Sequence, residues 1–293
     1  MSRDGREGFI LVSVLGAMIV LAGLVGAVSY LVRTAVTGAA ATRDELTIDA
    51  LTRSGVEIAG YELFSLRRPA AAVNAQQIRM NDGVLTLFVS SEAGKIDLNG
   101  APPELLAGAW ASIGAPGMQP EAFAARVADY RDADGDKTPH GGAEAGDYAA
   151  ASPNLVIANA PFETVDELQN VLGVTPDAVR SLAPLLTVQN PSGKLSVMDV
   201  PAAVMRAVPG GSAAFDKIRA IRLQPPADLE QAMQKALGEG AKYFSTDASV
   251  AYRVRVEVRR GDDVFRATTV TLTASRASEA LYFTTGWDVR PTS

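Results

Sequence analysis

Apolar positions are distributed unevenly along this chain. Residues Phe9 to Val32 read FILVSVLGAMIVLAGLVGAVSYLV, 24 positions without a charged side chain. At about 1.5 Å per residue, that helix crosses a hydrocarbon core of about 30 Å. A buried core helix and a secretory signal peptide are the competing readings. Soluble helices seldom run apolar on every face for so long, and the apolar region of a signal peptide is shorter, about 7–15 residues. Ala39-Ala40-Ala41 nevertheless resembles a small-residue cleavage site. Beyond Val32 the pattern becomes one-sided, with Val36, Ala40, Ile48, Leu51, Gly55, Ile58 and Leu63 at helical intervals. The spacing predicts one continuous helix to about Leu66, where Arg67 and Arg68 suit the negative end of the dipole and Pro69 prevents continuation.

Period-two patterns lie at two distant places. Gln76 to Met80 and Val84 to Ser90 read as strands joined by a turn at Asn81-Asp82-Gly83. Near the other end, Val250, Tyr252, Val254, Val256 and Val258 alternate with Arg253, Arg255, Glu257 and Arg259, a strand with one apolar and one charged face. A turn at Gly261-Asp262-Asp263 leads to Val264–Thr273, and Leu281 to Val289 reads as a last strand. Between these groups the pattern is mostly helical. The candidates are Pro102–Ile113, Pro120–Arg131, Glu163–Leu172, Pro176–Leu182, Pro201–Val208, Ser212–Ile221 and Asp228–Leu237. The expected fold class is therefore α+β, a long helix packed on an antiparallel sheet that a helical insertion domain interrupts.

Two stretches of the insert resemble each other. KIDLNGAPPELL from Lys95 and KLSVMDVPAAVM from Lys194 each place a short extended run before a proline-started helix, so that Pro102 aligns with Pro201. VLGVTPDAVRSL from Val171 and AVPGGSAAFDKI from Ala207 carry the glycine turn of helix-hairpin-helix modules. Such modules often bind DNA, but charge opposes it here. The whole chain carries 27 basic and 33 acidic residues, a net of −6. From Lys95 to Asp247 there are 12 basic and 19 acidic residues, a net of −7, the wrong sign for displacing counterions from phosphates. No nucleic-acid partner is expected. The absence of cysteine and the single His140 exclude disulfides, thiolate metal sites, a cysteine nucleophile and multi-histidine centres. No G-x-S-x-G sequence supplies a serine nucleophile, so an enzyme is not expected, although a carboxylate-pair hydrolase remains an alternative.

The most chemically pointed segment is ADYRDADGDKTPHGGAEAGDY, from Ala128 to Tyr148. Asp132, Asp134 and Asp136 alternate around Gly135, and Glu144 and Asp147 follow a glycine-rich bend, five carboxylates within 16 residues. Alternate aspartates turn hard oxygens toward one point, and calcium takes about six to eight such ligands. The loop is no EF-hand, because Ala143 holds the twelfth position counted from Asp132. A solvated acidic loop is the alternative. His140 is expected to be a loop residue, since imidazole is a poor calcium ligand.

The amino terminus adds a family resemblance. The leader MSRDGREG ends in Gly8 immediately before Phe9 and the apolar helix, which resembles the processing site of type IV prepilins and of the pseudopilins of type II secretion systems. In that family a prepilin peptidase cuts after the glycine and methylates the new terminus, here Phe9. The fifth residue after the cut is usually glutamate, and here it is Ser13. That omission, the split domain, and the strings D-x-R-D-x-D from Asp129, Gly142-Ala143-Glu144 and NAPFETVDEL from Asn159 resemble the minor pseudopilin K family. The resemblance implies a leader at 1–8, a transmembrane helix at 9–32, a pilin-like helix and strands at 33–100, an insertion domain at 101–247 and pilin-like strands at 248–293. It also implies structural calcium, one or two ions, on Asp132, Asp134, Asp136, Glu144 and Asp147, with Asp129 as a less central candidate.

The same resemblance implies a non-catalytic subunit that initiates or caps the pseudopilus tip for export of folded proteins. Its expected location is the bacterial inner membrane, single pass, with the C-terminal part in the periplasm. Charge does not orient the span, because Arg3 and Arg6 precede it and Arg33 and Arg43 follow. The implied partners are the I and J minor pseudopilins, other pseudopilus subunits, the prepilin peptidase, exported proteins and the outer-membrane channel. The alternative is a membrane-anchored DNA-uptake or competence protein using the helix-hairpin-helix turns.

Overall fold

The structure is a computed structural model that describes residues 4–81, 83–152, 155–260, 263–275 and 280–291. Met1 to Arg3 of the expected leader, Asp82 of the first expected turn and Gly261-Asp262 of the second lie outside the described residues, as do the side chains at the Gly8–Phe9 junction. The backbone there is helical, within α1 (Asp4–Gly60). At 57 residues α1 is about 85 Å long. It continues as a π-helical turn, Tyr61–Ser65, in which the Leu66 amide bonds to the Tyr61 carbonyl at 3.0 Å. The chain then turns through Arg67, whose φ is +51°, and Pro69. Instead of meeting the dipole alone, Arg68 pairs with Glu62 at 3.0 Å.

Five strands form one antiparallel sheet in the order β1-β2-β7-β8-β9. These are β1 (Gln76–Met80), β2 (Gly83–Ser91), β7 (Ala251–Arg260), β8 (Asp263–Ala274) and β9 (Tyr282–Pro291). The intervening β3 (Ile96–Asp97), β4 (Leu186–Thr187), β5 (Leu195–Ser196) and β6 (Phe244–Ser245) are two-residue segments of the insert. Register sets Leu85 opposite Val258, Leu87 opposite Val256 and Val89 opposite Val254, with Val254 opposite Val270 on the other side. This apolar face meets Ile48, Leu51, Val56 and Ala59 of α1 and Leu63 of the π-helical turn in one core. Val250 falls just outside β7 and is exposed, so the strand opens at Ala251 instead. Val36 and Ala40 are exposed as well. The buried stripe begins only at Ile48, where α1 reaches the sheet.

The insert leaves the sheet after β2 and returns at β7. Its helices are α3 (Pro103–Ile113), α4 (Pro120–Arg131), α5 (Ala145–Ala151), α6 (Pro176–Leu182), α7 (Ala202–Met205), α8 (Gly211–Leu223) and α9 (Leu229–Leu237), the short α2 (Ala70–Val73) lying before the sheet. Pro102 and Pro201 both serve as extended N-caps, of α3 and α7. The two matching extended runs become β3, paired in parallel with β4, and β5, paired in parallel with β6. A second core fills the insert, with Trp110 stacked on Phe123 and Tyr130 on Phe162, each pair at 4.7 Å.

Two expected helices shrink. Glu163–Leu172 is a 3-10 segment at Val165–Asn170, and Pro201–Val208 keeps only Ala202–Met205. Segments this short are held by packing, since helix nucleation is unfavourable. In the other direction, Ala145–Ala151 is a helix inside the segment read as a loop. Its alanines and glycine carry no apolar period, and the fully buried Tyr148 anchors it.

Candidate metal centre

The acidic segment runs from the end of α4 to the start of α5. Asp129 lies in the last turn of α4, Asp132 caps that helix, Asp134 sits in the bend and Glu144 caps α5. Carboxylate oxygens of Asp132, Asp134 and Glu144 lie within 4.8 Å of one another. Asp129 is completely buried, and its Oδ1 accepts the Thr138 amide at 2.9 Å. Its Oδ2, Asp132 Oδ1 and Glu144 Oε1 are buried without a hydrogen-bond partner among the described residues. A buried polar atom left unpaired costs free energy, so three such oxygens on neighbouring carboxylates favour either protonation or a neighbouring positive charge. Gly142 keeps space open beside them, because a Cβ there would fall 2.2 Å from Asp129 Oδ2.

The electrostatics agree with the geometry. Burial raises the pKa of Asp132 and Glu144, and the charges of Asp129 and Asp134 raise both further. Asp147 goes the other way, lowered first by its hydrogen bond from Lys137 and then by the Glu144 amide. Those two contacts measure 2.7 and 2.9 Å. Asp147 is thereby engaged in a capping box with Glu144 at the start of α5.

The structure therefore sorts the sequence candidates. It brings Asp132, Asp134 and Glu144 together and sets Asp129 beside them. Asp136 is exposed outside this cluster, with its amide bonded to Asp134 Oδ1 at 2.9 Å. His140 is an exposed loop residue with φ of +72°. Ser13 lies on the exposed part of α1. The signal for Asp129 was available in its i,i+3 spacing from Asp132, which puts both carboxylates on one side of the helix end. A donor set of hard carboxylate oxygens fits a calcium-class cation better than a soft or borderline metal.

A long amino-terminal helix seated on an antiparallel sheet, with a helical insert between its second strand and the next, defines a pilin-like α+β protein. The model of the type II secretion system protein K family matches residues 98–191, within the insert and across the acidic segment. A chain of the crystal structure of the GspK-GspI-GspJ complex, from the type 2 secretion system of enterotoxigenic Escherichia coli, shares the fold with a TM-score of 0.61. That likeness is at 16% identity and covers 85% of this chain and 97% of the other. Among curated proteins none matches the chain. The chain is thus similar to the protein K family of type II secretion systems over residues 98–191 and shares its fold with a chain of that complex.

Proposed function

We propose that this chain is the tip subunit of a type II secretion pseudopilus, a non-catalytic protein that initiates or caps assembly. The observation that carries the reading is the protein K family match on residues 98–191, inside an insert hung on a pilin-like helix and sheet. The insert adds a bulky body to one subunit, and a further subunit stacked above it would collide with that body. Ser13 in place of the usual glutamate removes the acid with which a subunit engages a neighbour's amino terminus. The anchor is α1, the one helix among the described residues that is long and apolar enough to cross a membrane. Its orientation, with the body in the periplasm, follows from the same reading.

The partners proposed are minor pseudopilins of the I and J types, since the structural relative was solved in a complex with GspI and GspJ. The prepilin peptidase acts once, cutting between Gly8 and Phe9. Exported proteins and the outer-membrane channel are met at the tip. Mass spectrometry of the membrane-extracted chain tests the processing, with N-methylated Phe9 expected as the first residue. A mature chain beginning near Thr42 would replace this reading with that of a secreted soluble protein. Co-purification with I and J subunits tests assembly.

Structural calcium belongs to the same proposal. Asp129, Asp132, Asp134 and Glu144 would hold it, and its role is to neutralise carboxylates that otherwise repel one another across a loop with few apolar anchors. Asp147 and Asp136, part of the set expected from the resemblance, support the loop from outside: Asp147 through the α5 cap and Asp136 through its amide. Isothermal titration of chelator-treated protein with calcium is the direct measurement, and no heat of binding would sink the assignment.

A further inference from the structure

The insert and the sheet keep separate cores, and between the open face of the sheet and the insert lies a cleft of about 940 Å³. Phe88, Arg255 and Thr269 line one wall and Glu163, Val165 and Asp166 the other. Across this gap Thr273 and Gln189 touch only at the 3.5 Å limit of a hydrogen bond. Where the cleft lies, the facing walls of the two bodies are held apart. The chain crosses between them twice, outward after Ser91 and back before Ala251.

Both crossings meet at one carboxylate. Glu92, the first residue after β2, has no exposed surface. Its Oε1 accepts a hydrogen bond from Lys95 Nζ at 2.7 Å, on the outgoing segment, and forms an ion pair with Arg253 Nε at 3.1 Å, on the returning strand β7, while Oε2 is buried without a hydrogen-bond partner among the described residues. The turn it begins is tied in turn to the insert. Asn190 Nδ2 donates to the Lys95 carbonyl at 3.2 Å and to the Lys194 carbonyl at 2.8 Å. Gly94 lets the turn press on the second half of the insert, because a Cβ there would lie 2.6 Å from the Asp199 carbonyl oxygen. Glu92 thus joins the sheet, through Arg253, to a turn that is fastened to the insert.

We infer that Glu92 is an orientation lock, a buried carboxylate whose bonds to Lys95 and Arg253 fix the angle of the insert over the end of the sheet. Buried ion pairs contribute less to stability than an apolar contact of equal size, but they are directional and select one geometry. An apolar seam would tolerate sliding, whereas a carboxylate held from two sides does not. The importance of that angle rests on the tip reading, in which the insert must overhang the position of the next subunit.

The test uses spin labels on the full chain in detergent. Because the protein has no cysteine, Arg79→Cys on β1 and Glu121→Cys on α4, both exposed, supply the sole labelling sites. Pulsed dipolar spectroscopy should give one narrow distance distribution in the parent. Glu92→Gln is expected to broaden it about twofold, and Arg253→Gln, which leaves the Lys95 contact in place, to broaden it similarly. Arg180→Gln, at an exposed pair with Asp177, should leave the width unchanged. If Glu92→Gln loses its helical circular dichroism, Arg253→Gln decides. Parent-like widths in the folded variants overturn the lock. Failure of the parent to co-purify with I and J subunits would sink the tip reading without touching this result.

Discussion

Carboxylates gather at two places in this molecule and meet opposite surroundings. Near the foot of the sheet, Asp44, Glu45 and Asp49 of α1 face arginines, Asp44 pairing with Arg260 at 2.7 Å and the other two with Arg266. In the insert, Asp129, Asp132, Asp134 and Glu144 converge with no basic side chain bonded to them among the described residues, and three of their oxygens are buried without a partner there. The first group is paired within the chain, and the second is the one proposed to take a cation. The contrast separates an acidic patch whose charges are met by arginines from one whose buried oxygens lack partners among the described residues.

Chelation of the proposed calcium should separate the two acidic groups most visibly. At free calcium about 100 times the dissociation constant, binding stabilises the folded state by about 2.7 kcal/mol. A chelator should lower the melting temperature by several degrees and open a proteolytic site near Asp134. A melting curve unchanged by chelator would count heavily against the site. Next in size are substitutions within the cluster. Asp129→Asn keeps an acceptor for the Thr138 amide but removes the charge, and with Glu144→Gln it should weaken calcium binding by at least about tenfold in titration calorimetry. Asp136→Asn should leave binding nearly unchanged. Asp147→Asn should lower the melting temperature slightly through the α5 cap, equally with and without calcium. If Asp136→Asn proves as damaging as Glu144→Gln, the ligand set expected from the sequence is the better one.

The pH response sharpens the contrast further. Asp132 and Glu144 have raised pKa values in the metal-free fold, so their ionised forms destabilise it. Without calcium, thermal stability should rise as pH falls from neutrality through their raised values, above the ordinary carboxylate range near about 4. With calcium the sign reverses, because protons compete with the ion. The lowered pKa of Asp147 acts oppositely. Its stabilisation is present above the ordinary carboxylate pKa and is lost only as pH falls through its lowered value. The smallest effect belongs to the foot of the sheet. Arg266→Ala should cost no more than about 1 kcal/mol, diminish with salt and ignore calcium, because the carboxylates it meets are largely exposed.

Local periodicity made much of the fold legible. Phe9 to Val32 could be assigned without the structure because no charge interrupts them, and β7 because its valines and arginines alternate. The acidic segment was visible as carboxylates at close spacing, and the paired runs at Lys95 and Lys194 as matching strings. Two-residue ladders such as β3 with β4 carry no period, and they close over about 90 residues of chain. The 3-10 turn at Val165–Asn170 looked like a helix because its capping box, Thr164 with Glu167, is a helix-start signal.

By itself the sequence determined where the chain is apolar on all sides, where on one, and where its acids lie, since these depend on neighbours a few residues apart. Which acids meet depended on the tertiary structure. Asp129 and Glu144 are 15 positions apart and converge because α4 and α5 are held by a shared core, with Tyr148 buried beneath them. Glu92 and Arg253 are separated by more than half the chain, and only the pairing of β2 with β7 brings them together. Charge alone announced both clusters as acidic or basic letters. Burial, which removes water, placed Glu92 Oε1 against Lys95 and Arg253 and left oxygens of Asp129, Asp132 and Glu144 without a partner among the described residues.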